Sequence, residues 1–179
     1  LDLALSIASG TPFLNTFPTR YHGPVVYVSK EDPDYLLYDR LAKMQIAKGL
    51  GGSIRPGGKV IFPSEANIPL FLDLGRQFNF TPSGLGPLLM WLDSIQRQSG
   101  QLALIVFDPI LRMMVGVDEF KASEVAETVF YVSEKLQREF GTSICLIHHR
   151  AKRTISARAS YGSIAFHAFS ENTLFIQPE

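Results

Sequence analysis

Cysteine is nearly absent from this chain. Cys145 is the single one in 179 residues, and it lies inside the apolar run "ICLI". One thiol excludes a disulfide framework and suits a reducing compartment, so a cytoplasmic protein is expected. An excess of charge of either sign is also missing. Seventeen Lys and Arg balance seventeen Asp and Glu, which argues against whole-surface attraction to nucleic acid and leaves that role to a local basic patch. Long apolar runs are missing too. No stretch approaches the roughly 20 residues that span a bilayer, and no signal peptide is present, so no membrane partner is expected. What remains is a chain 46% hydrophobic and 19% charged, a globular rather than a disordered composition. Its length suits one domain over 1–179 with a sizeable core.

The apolar residues are arranged in alternating kinds of segment. "LDLALSIASG" reads as the end of a helix, with Leu1, Leu5 and Ala8 on one face and Gly10 as its C-cap. "PVVYVS" (24–29) is a buried strand. Asp32 is placed to cap the helix that follows, Pro33 to open it and Gly49 to end it, with Leu37, Leu41 and Met44 facing inward. A short strand is expected at "KVIFP" (59–63), a helix over 86–100, a strand at "LALIVF" (102–107) and a long helix over 119–141. In that helix Val125, Val129, Val132, Leu136 and Phe140 recur at helical spacing. Strands follow at "TSICLIHH" (142–149) and "NTLFIQ" (172–177), and the Gly-, Pro-, Ser- and Asn-rich stretches 10–24, 50–58 and 64–84 read as loops. Strands that are continuously apolar and alternate with helices predict an α/β fold, with a mainly parallel sheet covered by helices on both faces.

In open sheets of this class, ligands bind at the carboxyl ends of the strands. The residues just past those ends are therefore the candidates. "SKED" supplies Glu31 and Asp32, "LALIVFD" ends in Asp108, and "ICLIHH" ends in His148 and His149. Each has a plain structural reading. Asp108-Pro109 is a turn-like pair, Asp32-Pro33 a helix start, and a histidine pair at a strand end a solvated feature. Carboxylates and imidazoles meeting along one sheet edge are the signature of an active site.

An apolar strand ending in Asp resembles a Walker B motif. "VVYVSKEDPDYLLYDRLAKM", "LALIVFDPILRMM" and "SEVAETVFYVSEKLQREFGTSICLIHHRAK" together resemble RecA-like ATPases, in the branch of the plasmid replicative helicase RepA and its phage and bacterial relatives. The resemblance runs from the first helix to residue 176. It implies ATP and Mg²⁺ as cofactors, with Asp108 near the metal and Glu31 as the catalytic glutamate. It implies His149 as the γ-phosphate sensor, with His148 and Arg150 beside the nucleotide. It further implies single-stranded DNA as a partner and a homo-oligomer, a hexameric ring. The basic run "HHRAKRTISAR" (148–158) carries Lys152, Arg153 and Arg158, the candidates for DNA contact; a solvated loop, or arginines serving a neighbour's ATP site, are the alternatives.

Two family parts are missing. The P-loop pattern G-x-x-x-x-G-K-[ST] does not occur: in "SIRPGGKV" Ser53 stands where the first Gly belongs and Val60 where Ser or Thr belongs. With no initiator Met and a helix in mid-course at Leu1, a fragment is expected, incomplete at its N-terminus, with the P-loop just before Leu1. A lineage that lost the motif is the alternative. Residues 159–179 also contain no Arg, and Tyr161 stands at the position of the family's arginine, leaving Arg158, Arg150, Lys152 or Arg153 as substitutes. Two other functions compete with the helicase-type ATPase. One is a non-catalytic RecA-like DNA-binding or assembly module. The other is an unrelated phosphate-handling enzyme using the histidine pair, weakened by the lack of an accompanying nucleophile or metal-ligand spacing.

Overall fold

The structure, a computed structural model, describes residues 1–54, 60–61, 68–73, 78–148 and 165–174. Four strands form an all-parallel sheet: β1 (Val25–Ser29), β4 (Leu70–Asp73), β5 (Leu104–Asp108) and β6 (Ser143–Leu146), in the order β4-β1-β5-β6. All five residues of β1 and the first four of β5 are buried, as strands covered on both faces must be. One face carries Val26, Val28, Ile105 and Phe107 packed with Leu88 and Leu92 of α3 (Pro82–Ser99). The other carries Val25, Tyr27, Leu104 and Val106 packed with Ala4 and Ala8 of α1 (Asp2–Ser9) and Leu37 of α2 (Asp34–Ala47). Burying each large aliphatic side chain contributes about 1.5–3 kcal/mol, so these two layers hold the sheet rigid. The expected α/β class with helices on both faces is observed, consistent with a RecA-like domain. Among the described residues no helix is long and apolar enough to cross a membrane.

The helix read from the valine spacing is continuous but not uniform. It runs as α4 (Ala122–Val125), a π-helical turn (Ala126–Phe130) and α5 (Tyr131–Phe140). Val125, Val129, Val132, Leu136 and Phe140 are all buried, so the stripe faces the core as expected. The π turn widens the spacing beyond the ideal 3.6 residues per turn and keeps the stripe on one side. Gly10 and Gly141 end α1 and α5 in the left-handed conformation, with φ of 73° and 57°, which glycine adopts without a Cβ penalty.

Three expectations are corrected, and one is placed. The short strand expected at 59–63 is observed as β3 (Val60–Ile61), which pairs antiparallel with β2 (Ser53–Ile54) in a separate two-stranded sheet, while 59, 62 and 63 lie outside the described residues. The stretch 64–84 is not all loop, because it contains β4 and the start of α3. Residues 172–174 are not a strand; they are irregular and exposed, with Leu174 70% exposed, so the apolar pattern there is not buried, and 175–177 lie outside the described residues. Asp32 does not cap α2: Pro33 holds the N-cap position with no side-chain cap, and Asp32, one residue earlier, accepts a hydrogen bond from Arg40 instead.

Cys145 borders the α1 layer. Burial pushes its thiol above the ordinary value, which lowers the reactive thiolate fraction. Labelling by an aromatic disulfide reagent is therefore expected to be at least ~10-fold slower in the native protein than in urea at the same pH. Equal rates would show that α1 does not shield this face.

Candidate active site at the carboxyl edge of the sheet

The parallel register brings the strand ends level. Ser29 of β1 is paired with Asp108 of β5, and Phe107 with Leu146 of β6. Backbone bonds extend the match: Lys30 N–H donates to the Asp108 carbonyl at 2.8 Å, and Ile147 N–H to the Phe107 carbonyl at 3.0 Å. The chain thus delivers the backbone of Lys30, Asp108 and Ile147 to one line, and Glu31 and His148 each follow one residue later.

Asp108 is partly exposed at the tip of a buried strand. Its side chain accepts a hydrogen bond from the hydroxyl of Tyr27, at Oδ2. Burial first, and then this bond to Asp108, raise the Tyr27 phenol far above its ordinary value, so the hydroxyl stays protonated and donates.

Glu31 is exposed and lines a cleft of about 600 Å³ with Pro109, Arg112, Glu119 and Phe120. The cleft separates the end of β1 from the segment after β5. Burial, and then Asp118, hold the Glu119 carboxyl above its ordinary value. His148 packs its ring against Phe166 of α6 (Ala165–Ala168), with centroids 4.4 Å apart. His149, Arg150, Lys152, Arg153 and Arg158 lie outside the described residues. The structure therefore brings Glu31, Asp108 and His148 to one sheet edge.

Two parts of this edge escape sequence reasoning. Tyr27 opens the "YVSKED" strand end that carries the resemblance, but no sequence pattern gives its hydroxyl a partner. Asp73 ends β4 and is 1% exposed; its carboxylate pairs with Lys30 Nζ at 3.1 Å. Lys30 also stands 5.6 Å from the Phe78 ring centroid. A buried pair of this kind is retained only with close geometry, and it ties the residue before Glu31 to the edge strand. The signal available was "LFLD" (70–73), a second apolar run ending in Asp.

Among the described residues no group of three or more His, Cys, Asp and Glu is placed to hold a metal. One carboxylate with the phosphates of a nucleotide is the usual donor set for Mg²⁺, which keeps much of its water. Asp108, an acceptor at a partly exposed strand end, fits that role.

Compared with known proteins, the chain matches the family described as an AAA domain over residues 1–154. No curated protein matches it.

Proposed function

The chain belongs to the AAA domain family, and on that premise we propose that it is a RecA-like motor that hydrolyses ATP with Mg²⁺ and acts on single-stranded DNA in replication. The family indicates an ATPase-type function. The single observation that carries the finer reading is the convergence of Glu31 and Asp108 on adjacent ends of parallel strands.

Each residue then has a distinct task. Asp108 holds the metal, directly or through water. Mg²⁺, when bound there, would supply neutralisation of the phosphate charge. Glu31 accepts a proton from the attacking water, and the cleft beside it admits that water. His149 reports the γ-phosphate, with His148 and Arg150 beside the nucleotide. Lys152, Arg153 and Arg158 contact phosphates of the DNA strand. Phosphoryl transfer depends mostly on positioning and charge neutralisation, which is what a rigid, buried strand such as β5 supplies. A hexameric homo-oligomer with DNA in its channel completes the reading. The second reading is a non-catalytic RecA-like module, which a degenerate P-loop encoded upstream of Leu1 would favour and a complete one would exclude.

DNA binding separates these tasks. Each phosphate contact to a single strand contributes about 0.7 to the slope of log K against log salt. Lys152→Ala with Arg153→Ala in the full-length protein is expected to lower that slope by ~1.4 if both touch phosphate, with ATP affinity unchanged. A fluorescence titration with oligonucleotide at several salt concentrations measures it. Unchanged DNA binding with reduced hydrolysis would assign the two residues to the ATP site instead.

A further inference from the structure

Tyr27 is 2% exposed in the middle of a strand whose other core residues are valines. For packing alone Phe would serve, without a hydroxyl to satisfy. A buried phenol needs a hydrogen-bond partner, and here the partner is the carboxylate of Asp108. The register makes the contact possible. Tyr27 is paired with Val106, two residues before Asp108. Positions two apart share a face of the sheet, and diagonal neighbours lie roughly 7–8 Å apart, within reach of an aromatic side chain.

A stiff strand fixes the Cα and Cβ of an aspartate but not its carboxylate plane. The terminal torsion of Asp is broad and roughly two-fold. Among the described residues, Tyr27 is the one hydrogen-bond donor to that carboxylate. It is also a neutral donor, so it orients the group without neutralising the charge a cation needs.

We propose that Tyr27 is a positioning residue, whose hydroxyl holds Oδ2 of Asp108 and so sets the orientation in which the carboxylate meets Mg²⁺ beside the ATP phosphates. The inference rests on the reading of Asp108 as the metal-side carboxylate. A purely structural role, in which Asp108 only satisfies a buried phenol, makes a different prediction for metal binding.

The test uses the full-length protein with Mn²⁺ as a paramagnetic probe and a non-hydrolysable ATP analogue, read by electron paramagnetic resonance. Tyr27→Phe is expected to remain folded, to bind the analogue normally in EDTA, and to weaken Mn²⁺ binding in the ternary complex by about tenfold, the scale of one hydrogen bond to a charged group. 3-Fluorotyrosine at position 27 keeps the hydroxyl and is expected to restore Mn²⁺ affinity to within about twofold. Wild-type Mn²⁺ affinity in Tyr27→Phe overturns the proposal, and so does a Tyr27→Phe protein that fails to fold, since the hydroxyl would then serve the fold. Asp108→Asn runs in parallel. If it binds Mn²⁺ as the wild type does, the reading of Asp108 falls and this inference with it. If it loses Mn²⁺ while Tyr27→Phe does not, only the role of Tyr27 falls.

Discussion

Glu31→Gln in the full-length protein is expected to reduce ATP turnover by about 10²–10⁴, the usual worth of general-base catalysis, while nucleotide affinity stays close to wild type. The substitution keeps size and most hydrogen bonding and removes only the ability to take a proton. Glu31 is exposed beside the cleft and follows the β1 strand end that is aligned with Asp108. No core contact is lost, so thermal stability should hold. Single-turnover phosphate release, with analogue binding measured separately, checks both halves. Normal release would remove Glu31 from the chemistry. Lost release together with lost binding would make it a nucleotide contact instead.

Asp108→Asn is expected to be comparably severe but to fail differently. It keeps an acceptor for the Tyr27 hydroxyl and loses the charge that attracts the cation. Metal-dependent hydrolysis should fall by at least ~10², and raising Mg²⁺ should recover part of it. The backbone bond from Lys30 N–H to the Asp108 carbonyl is unaffected by the change, and β5 keeps its buried residues, so the melting temperature should move little. A Mg²⁺ titration of turnover beside a thermal melt distinguishes the outcomes. Full activity with a large loss of stability would make Asp108 a turn element of the Asp108-Pro109 pair and nothing more.

The parts of the fold legible in the sequence are those whose signal is local. "VVYVS" and "LIVFD" are buried on both faces, so they read as unbroken apolar runs. The stripe from Val125 to Phe140 keeps helical spacing even across a π turn. β4 was not legible, because it is four residues long and lies in a Gly-, Pro- and Asn-rich stretch. Its place beside β1 is set by pairing Val25 with Leu70, which no local pattern records. The expected strand over 172–177 shows the reverse error, an apolar run that residues 172–174 do not bury.

The site divides in the same way. Strand ends point to Glu31, Asp108 and His148 through one rule about sheet edges, and the register aligns those ends. The link from Tyr27 to Asp108 spans 81 residues, and the pair of Lys30 with Asp73 spans 43. Both arise only when non-neighbouring strands are set side by side. Asp32 fails as a cap because Pro33 takes that position and leaves Asp32 to Arg40.

Hydrolysis of ATP at this sheet edge with a metal at Asp108 is the proposal on which the other expectations depend. Phosphate release by the full-length protein, followed at saturating ATP with Mg²⁺ varied from zero, with and without single-stranded DNA, tests it most directly. Turnover is expected to require Mg²⁺ and to be lost in both Glu31→Gln and Asp108→Asn. Folded protein that releases no phosphate under any of these conditions, or releases it equally well in both variants, would contradict it.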